Sequence, residues 1–272
     1  MSQNKKVTII TVSFNSEKTI LNCINSVNNQ KYSNIEHILI DGGSKDKTVD
    51  IFRQNSKFSG AIISEKDKGI YNAMNKGIKL SNGEIIGFLN SDDFFYSENS
   101  IDLIVQEFYS DIDCVFGNLL YVNSNNKIIR NWISGPFKFG LFRKSWSPAH
   151  PTFYCSKEIF SKYGGFREDL KITSDIELML RFLEVNRIKS KFIDYYLVVM
   201  LEGGISNGSI NSTLTISKEV MKSHNRLKLR FNLLIYLFFK ICKIVKQKQI
   251  RTNYYSDKTQ FKGKKYDVIS IK

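Results

Sequence analysis

Four times in the first ninety residues a short apolar run gives way to a helical pattern, and no other feature narrows the fold so far. "VTIITVS" (7–13), "IEHILID" (35–41), "GAIISE" (60–65) and "EIIGFL" (84–89) have the length and β-branched content of buried strands. Between them Ile20, Ile24 and Val27, and later Ile70, Met74 and Ile78, recur at helical spacing. Asn15 and Ser16 can open the first helix, Ser44–Phe52 starts a second, and Gly83 closes the third, over 67–83. Such alternation predicts an α/β fold with a mostly parallel sheet flanked by helices. Ligands of these sheets lie beyond the carboxyl ends of the strands. Ser13/Asn15, Asp41, Glu65/Asp67 and Asp92/Asp93 follow the four runs, so all four sets are expected on one rim.

Asp92 and Asp93, in "FLNSDDFF", sit between apolar residues and repel each other. A hard cation such as Mg²⁺ or Mn²⁺ relieves that repulsion and in turn holds a diphosphate. The competing reading is a cap on a helix that follows "SDDFFYSENS". Asp41, before "GGS", reads either as an acceptor for a nucleobase or ribose or as a simple turn. Neither GxxxxGK[ST] nor GxGxxG occurs, which disfavours a P-loop enzyme and a dinucleotide dehydrogenase.

The second half is less regular. "DCVFGNLLYV" and "KIIRNWI" predict an antiparallel pair, "SKEIFSKYGGF" a short helix, "SDIELMLRFLEVN" (174–186) an amphipathic helix, and "KFIDYYLVVML" (191–201) a strand. "EGGIS" (202–206) follows as an expected mobile loop.

"TIITVSFNSEKTI", "ILIDGGSKDKT", "EKDKGIYNAMNKGIKLSNGEIIGFLNSDD" and "GGFREDLKITSDIELMLRF" together resemble the family-2 glycosyltransferases of the GT-A fold, and among them the enzymes of bacterial surface polysaccharides. The similarity covers about residues 5–206. It implies a Rossmann-like nucleotide-diphospho-sugar transferase sheet, with Thr11, Ser13 and Asn15 lining a nucleotide pocket and Asp41 at the base. It further implies that Asp67 and Lys68 help to hold the donor, that Asp92 touches the ribose, and that Asp93, with Asp92 beside it, binds Mn²⁺ or Mg²⁺. Asn90 departs from the family where a further acidic residue is often found. Asp175 matches the family's catalytic base, with Ser174 in place of the usual Glu. Without the resemblance, Asp175 reads equally as a cap near Thr173, and Asp169 is a second candidate base. The implied reaction is inverting transfer of a single sugar, because the QxxRW motif of processive relatives is missing. The implied donor is a UDP-sugar and the acceptor a lipid-linked glycan. A sugar nucleotidyltransferase and a non-catalytic membrane scaffold remain the alternatives. His150, with Trp146, is placed on a site wall, and His224 reads as a surface helix residue or a neighbour of the metal.

Charge divides the chain. Residues 1–217 hold 25 Lys/Arg against 23 Asp/Glu, and residues 218–272 hold 15 against 3. The expected organisation is therefore a catalytic domain over 1–217 and a basic amphipathic extension over 218–272. Within the domain, the nucleotide-sugar half covers about 1–95 and the acceptor half about 96–217. In the extension, "LLIYLFF" (233–239) is too short to span a bilayer. Its basic flanks suit a helix lying on the cytoplasmic face of an inner membrane, or one packed on the domain. The basic residues interleave with aliphatic runs, which argues against nucleic acid. "MSQNKKVTII" lacks the apolar stretch of a signal peptide, and Cys23, Cys114, Cys155 and Cys242 form no zinc or disulfide spacing, so a cytoplasmic location is expected. A homo-oligomer is left open.

Overall fold

The computed structural model describes residues 4–123, 127–202 and 210–253. The "GGIS" part of the expected mobile loop and the end of the basic extension lie outside them. Nine strands form one sheet. β1 (Val7–Ser13) lies between β2 (Ile35–Asp41) and β4 (Ile85–Phe88), parallel to both, and β3 (Ile62–Ser64) continues in parallel on β2. Every residue of β1, β2 and β4 is buried, as covering by helices on both faces requires. One face carries α1 (Ile20–Asn28) and α4 (Ser100–Glu107), whose Cys23, Val27, Ile101 and Ile104 meet Val7 and Ile9. α2 (Thr48–Asn55) joins α1 there through Phe52. The other face carries α3 (Ile70–Leu80), α5 (Lys157–Tyr163) and α6 (Ser174–Leu180), packed on Ile10, Ile38 and Phe88.

Two close approaches fix these layers. A Cβ on Gly77 of α3 would lie 2.4 Å from Ile10 Cγ2, and one on Gly87 of β4 would lie 1.9 Å from the Tyr154 ring. Only glycine lets the helix and the aromatic ring come so near.

The second half of the sheet is mixed. β8 (Tyr154–Ser156) is antiparallel to β4 and to β6 (Cys114–Val122), and β9 (Ser190–Leu201) runs parallel to β6. β7 (Ile128–Trp132) forms the expected antiparallel pair with β6. β5 (Asp93–Phe95) closes the far edge, antiparallel to β9. Only a few residues separate β4 from β5, yet three strands lie between them in the sheet. A flat sheet would demand roughly 19 Å at ~4.8 Å per step, more than the roughly 17 Å that this connection spans even when fully extended. The sheet must therefore curl, and it returns β5 to α1, where the Phe95 amide donates to Ser26 Oγ at 3.1 Å.

α7 (Ile210–Arg226) runs through the expected domain boundary at 217/218, and its buried Ser217, Val220, Ser223 and His224 belong to the packed body. α8 (Leu233–Asn253) follows and lies against β7 and the 3₁₀ turn Phe142–Lys144. No described helix is long and apolar enough to cross a membrane.

Candidate active site

Parallel register places Ser13, Asp41 and Ser64 in one row at the carboxyl ends of β1, β2 and β3. Asp41 is fully buried there. Its Oδ1 accepts from Ser13 Oγ at 2.8 Å and Ser44 Oγ at 2.5 Å; its Oδ2 accepts from Ser64 Oγ at 2.7 Å and the Ser44 and Gly43 amides at 2.8 and 3.1 Å. Burial pushes its carboxyl up, but these hydrogen bonds outweigh it and hold the group below the usual carboxylate range. Five donors use up the roughly four lone-pair sites of a carboxylate. In this state Asp41 therefore shapes the rim and presents no free acceptor to a base.

Asn15, at φ +49°, ties the loop after β1 to the loop after β2. Its Oδ1 accepts from the Lys45 amide at 2.9 Å and its own amide donates to Ser44 Oγ at 2.7 Å. Asp67 pairs with Lys76 and stands near Gly42, while Lys68 is exposed on the same edge. Thr11 does not reach the rim. It is fully buried, with its hydroxyl 3.0 Å from His37 Nε2. A residue the sequence reading passed over stands at the rim instead: Phe14 is 63% exposed, and a Cβ on Gly42 would lie 3.4 Å from its ring. An aromatic residue directly after a strand that ends on this rim was the available signal.

The carboxylate pair opens β5 and caps no helix; α4 begins seven residues later, after Asn99. Asp92 is half-buried and burial raises its pKa. Asp93 is fully buried, and burial first, then the charge of Asp92, pushes it well above the usual carboxylate range. Asn90 Nδ2 donates to Asp93 Oδ2 at 3.1 Å, but Asp93 Oδ1 and Asn90 Oδ1 are buried with no partner among the described residues. Two orphaned hard oxygens beside a second carboxylate are a donor set that Mg²⁺ or Mn²⁺ satisfies. Among the described residues no three His, Cys, Asp or Glu side chains could share one ion. A metal here thus needs further oxygens from a diphosphate and water.

Asp175 lies in the first turn of α6 and is half-buried. Burial raises its pKa, and His150 and nearby backbone amides oppose the rise. Tyr71 donates to the Ile172 carbonyl at 2.6 Å and stands 3.4 Å from Asp175 Oδ1. His150 stacks on Phe88 at 5.6 Å; burial lowers its pKa and Nε2 is buried without a partner. The loop before Asp175 is pinned by Glu219 of α7, which accepts from the Lys171, Ile172 and Thr173 amides and from Thr173 Oγ1 at 2.9–3.1 Å. Glu219 lies in the segment assigned from the sequence to the extension, so its role was not legible there.

Asp169 is unsuited to act as a base. Arg167, Lys222 and Arg226 pair with it and hold it down at about 2. His224 is buried rather than exposed, against Phe231, with Nδ1 2.8 Å from the Val220 carbonyl. Trp146 donates to the Ser134 carbonyl and packs among Phe116, Phe137 and Phe142. Tyr121 of β6 is buried, which raises its pKa; the Arg130 charge opposes the rise, and the charges of Asp93, Asp175 and Asp92 add to it.

A parallel half-sheet with a polar carboxyl rim, curling to bring an aspartate pair towards a second half-buried carboxylate, defines a nucleotide-sugar transferase fold of the GT-A type. The chain belongs to glycosyl transferase family 2, whose model matches residues 8–163, and it is a glycosyltransferase. It is 27% identical over 192 residues to chondroitin synthase of Escherichia coli; the match covers 68% of this chain and 28% of that protein's length. Its fold is similar to S. aureus TarS 1-349 in complex with UDP-GlcNAc, with TM-score 0.62 and 18% identity over 94% of this chain and 76% of that one. It is also similar to the mannosyltransferase PcManGT from Pyrobaculum calidifontis in complex with GDP-Man and Mn²⁺, with TM-score 0.64 and 13% identity over 89% and 72%.

Proposed function

We propose that this glycosyltransferase moves one sugar, with inversion, from a nucleoside-diphosphate donor, a UDP-sugar, to a lipid-linked glycan of a bacterial surface polysaccharide. The observation that carries this reading is Asp93 Oδ1, buried without a partner among the described residues, beside the carboxylate of Asp92. The complexes of TarS with UDP-GlcNAc and of PcManGT with GDP-Man and Mn²⁺ support a nucleotide-sugar donor and a divalent cation.

Ser13 and Asn15 frame the nucleotide pocket, Asp41 holds its wall, and Phe14 offers a ring to the base. Asp67 and Lys68 flank the diphosphate. Asp93 and Asp92 would hold Mn²⁺ or Mg²⁺, with the Asn90 carbonyl oxygen beside them. Such an ion, when bound, neutralises charge that builds on the departing diphosphate. Asp175 accepts the proton of the acceptor hydroxyl as that oxygen attacks the anomeric carbon from the face opposite the leaving group. Burial raises the basicity of Asp175, while Tyr71 and the first turn of α6 keep it oriented. His150 and Phe88 wall the same space.

α8 turns Leu234, Phe238, Ile241 and Val245 outward along one stripe, which supports a position on the cytoplasmic face of a membrane. Binding to anionic vesicles, lost in Phe238→Glu/Ile241→Glu, checks that placement. For the reaction, release of nucleoside diphosphate from a panel of nucleotide sugars, with and without Mn²⁺, is the decisive assay. No turnover with any donor, or turnover undiminished in Asp93→Ala, overturns the proposal.

A further inference from the structure

α8 is inside out. Its apolar stripe faces away from the protein, while Tyr236, Lys240, Lys243 and Gln247 face inward. There they meet Arg130 of β7. Arg130 lies over the Tyr121 and Trp132 rings at 5.1 and 4.8 Å and donates to Gln247 Oε1 at 2.7 Å. Lys243 Nζ stands 4.1 Å from the centre of the Trp132 ring; among the described residues its one hydrogen-bond partner is the Ser145 carbonyl, at 3.4 Å. Lys240 Nζ lies 5.9 Å from the Tyr236 ring centre and is buried with no hydrogen-bond partner. Among the described residues no carboxylate pairs with any of the three cations. Burial, with Arg130 and Lys240 adding, holds the Lys243 ammonium down to about 7. Three cations gathered on aromatic faces without a counter-charge are costly unless an anion joins them.

The sheet register says where that anion would sit. Asp93 pairs with Met200, Met200 with Tyr121, and Tyr121 with Arg130, one row across β5, β9, β6 and β7. Residues in such a row share a face of the sheet. Arg130 is therefore three strand steps, roughly 14 Å along the sheet, from Asp93 at ~4.8 Å per step.

We propose that Arg130, Lys240 and Lys243 form an acceptor subsite, which holds the phosphate that links the acceptor glycan to its lipid. That a phosphate here belongs to the acceptor rests on the transferase reading above; the existence of the subsite does not. The lipid chain would then leave beside α8, whose outer face is apolar.

The test is calorimetric titration of the full chain with octyl phosphate, in EDTA and below the titration of Lys243. Wild type should bind saturably, Lys240→Met/Lys243→Met at least ~10-fold more weakly, and Lys243→Arg nearly as wild type. Methionine keeps the apolar stem and removes a buried charge, so the double variant should melt no lower than wild type, which separates lost binding from lost folding. Octanol should not bind. Equal binding by wild type and the double variant reduces the cluster to cation–aromatic packing and overturns the proposal. Inorganic phosphate binding as tightly as octyl phosphate assigns the pocket to a free anion, and UDP binding weakened as much as octyl phosphate assigns it to the donor; either result overturns the acceptor role. The titration needs no turnover, so it remains readable if the transferase reading fails.

Discussion

Tyr71 and Asp175 stand 104 residues apart in the chain, and their side chains meet at 3.4 Å. The tyrosine lies in α3, before β4, and the aspartate in α6, after β8. Tyr71 also donates to the Ile172 carbonyl, so α3 holds the approach to α6 in place. The candidate base is thus set by both halves of the fold.

Asp175→Asn should lower transfer by about 10²–10⁴-fold, the usual worth of a general base, with donor affinity kept. Asp169→Asn should leave the rate near wild type, because Asp169 is held down at about 2 by its cationic partners and is a poor proton acceptor. Burial raises the Asp175 pKa, so the base is lost as pH falls through that raised value. Wild-type kcat should therefore decline at a pH above the usual carboxylate range. A pH–rate profile that is flat down to about pH 4 contradicts this assignment.

Asp93→Asn should raise the melting temperature in EDTA at neutral pH. The folded pKa of Asp93 lies above its unfolded value, so the folded state holds more protons and stability drops as pH rises through that window. As pH rises above the usual carboxylate range, wild type should lose more stability than the variant. Added Mn²⁺ should reverse the order by stabilising wild type alone. Asn90→Asp adds a third carboxylate, and should melt lower in EDTA yet gain more from Mn²⁺.

Glu219→Ala should cost about 1–3 kcal/mol, since three backbone amides and a hydroxyl lose their acceptor. Because those amides lie directly before α6, kcat should fall while the donor KM changes little. Urea unfolding and steady-state kinetics read the two effects separately. A variant as stable as wild type removes Glu219 from the support of this loop.

Gly87→Ala should destabilise by about 1–3 kcal/mol, as overpacking does, because its Cβ would lie 1.9 Å from the Tyr154 ring. Gly135→Ala serves as the control for space, since nothing lies within 4 Å of its added Cβ; its φ of +67° leaves a backbone cost only. Equal melting temperatures for Gly87→Ala and wild type would mean that β4 and β8 do not pack as described.

The first four strands and their helices were legible because a parallel sheet covered on both faces writes itself as apolar runs separated by helical periods. Ends shifted by a few residues: the helix expected from Ser44 begins at Thr48. The three-residue β5 and β8 escaped notice, since such short segments have no periodicity of their own. Missing β5 had a consequence. Asp92 and Asp93 follow β4, as expected, where the Ser91 amide donates to the Val12 carbonyl of β1 at 3.3 Å, but they also open β5, which pairs with β9.

The residue types of the site were set by the sequence alone: carboxylates at strand ends, an aspartate opening a helix, and Asn90 three residues before Asp93. Spacing along the chain fixes these because strand and helix geometry are local. Which groups keep a free lone pair was decided by the tertiary structure. Asp41 spends both oxygens on five donors, Asp169 is held by three cations, and Asp93 keeps one oxygen buried and unpaired. Likewise the charge of the C-terminal segment was countable, but its placement was not: α8 turns lysines inward only because β7 offers aromatic faces that receive them. Hydrogen-bond saturation and burial depend on partners brought from distant parts of the chain, and only the folded sheet brings them.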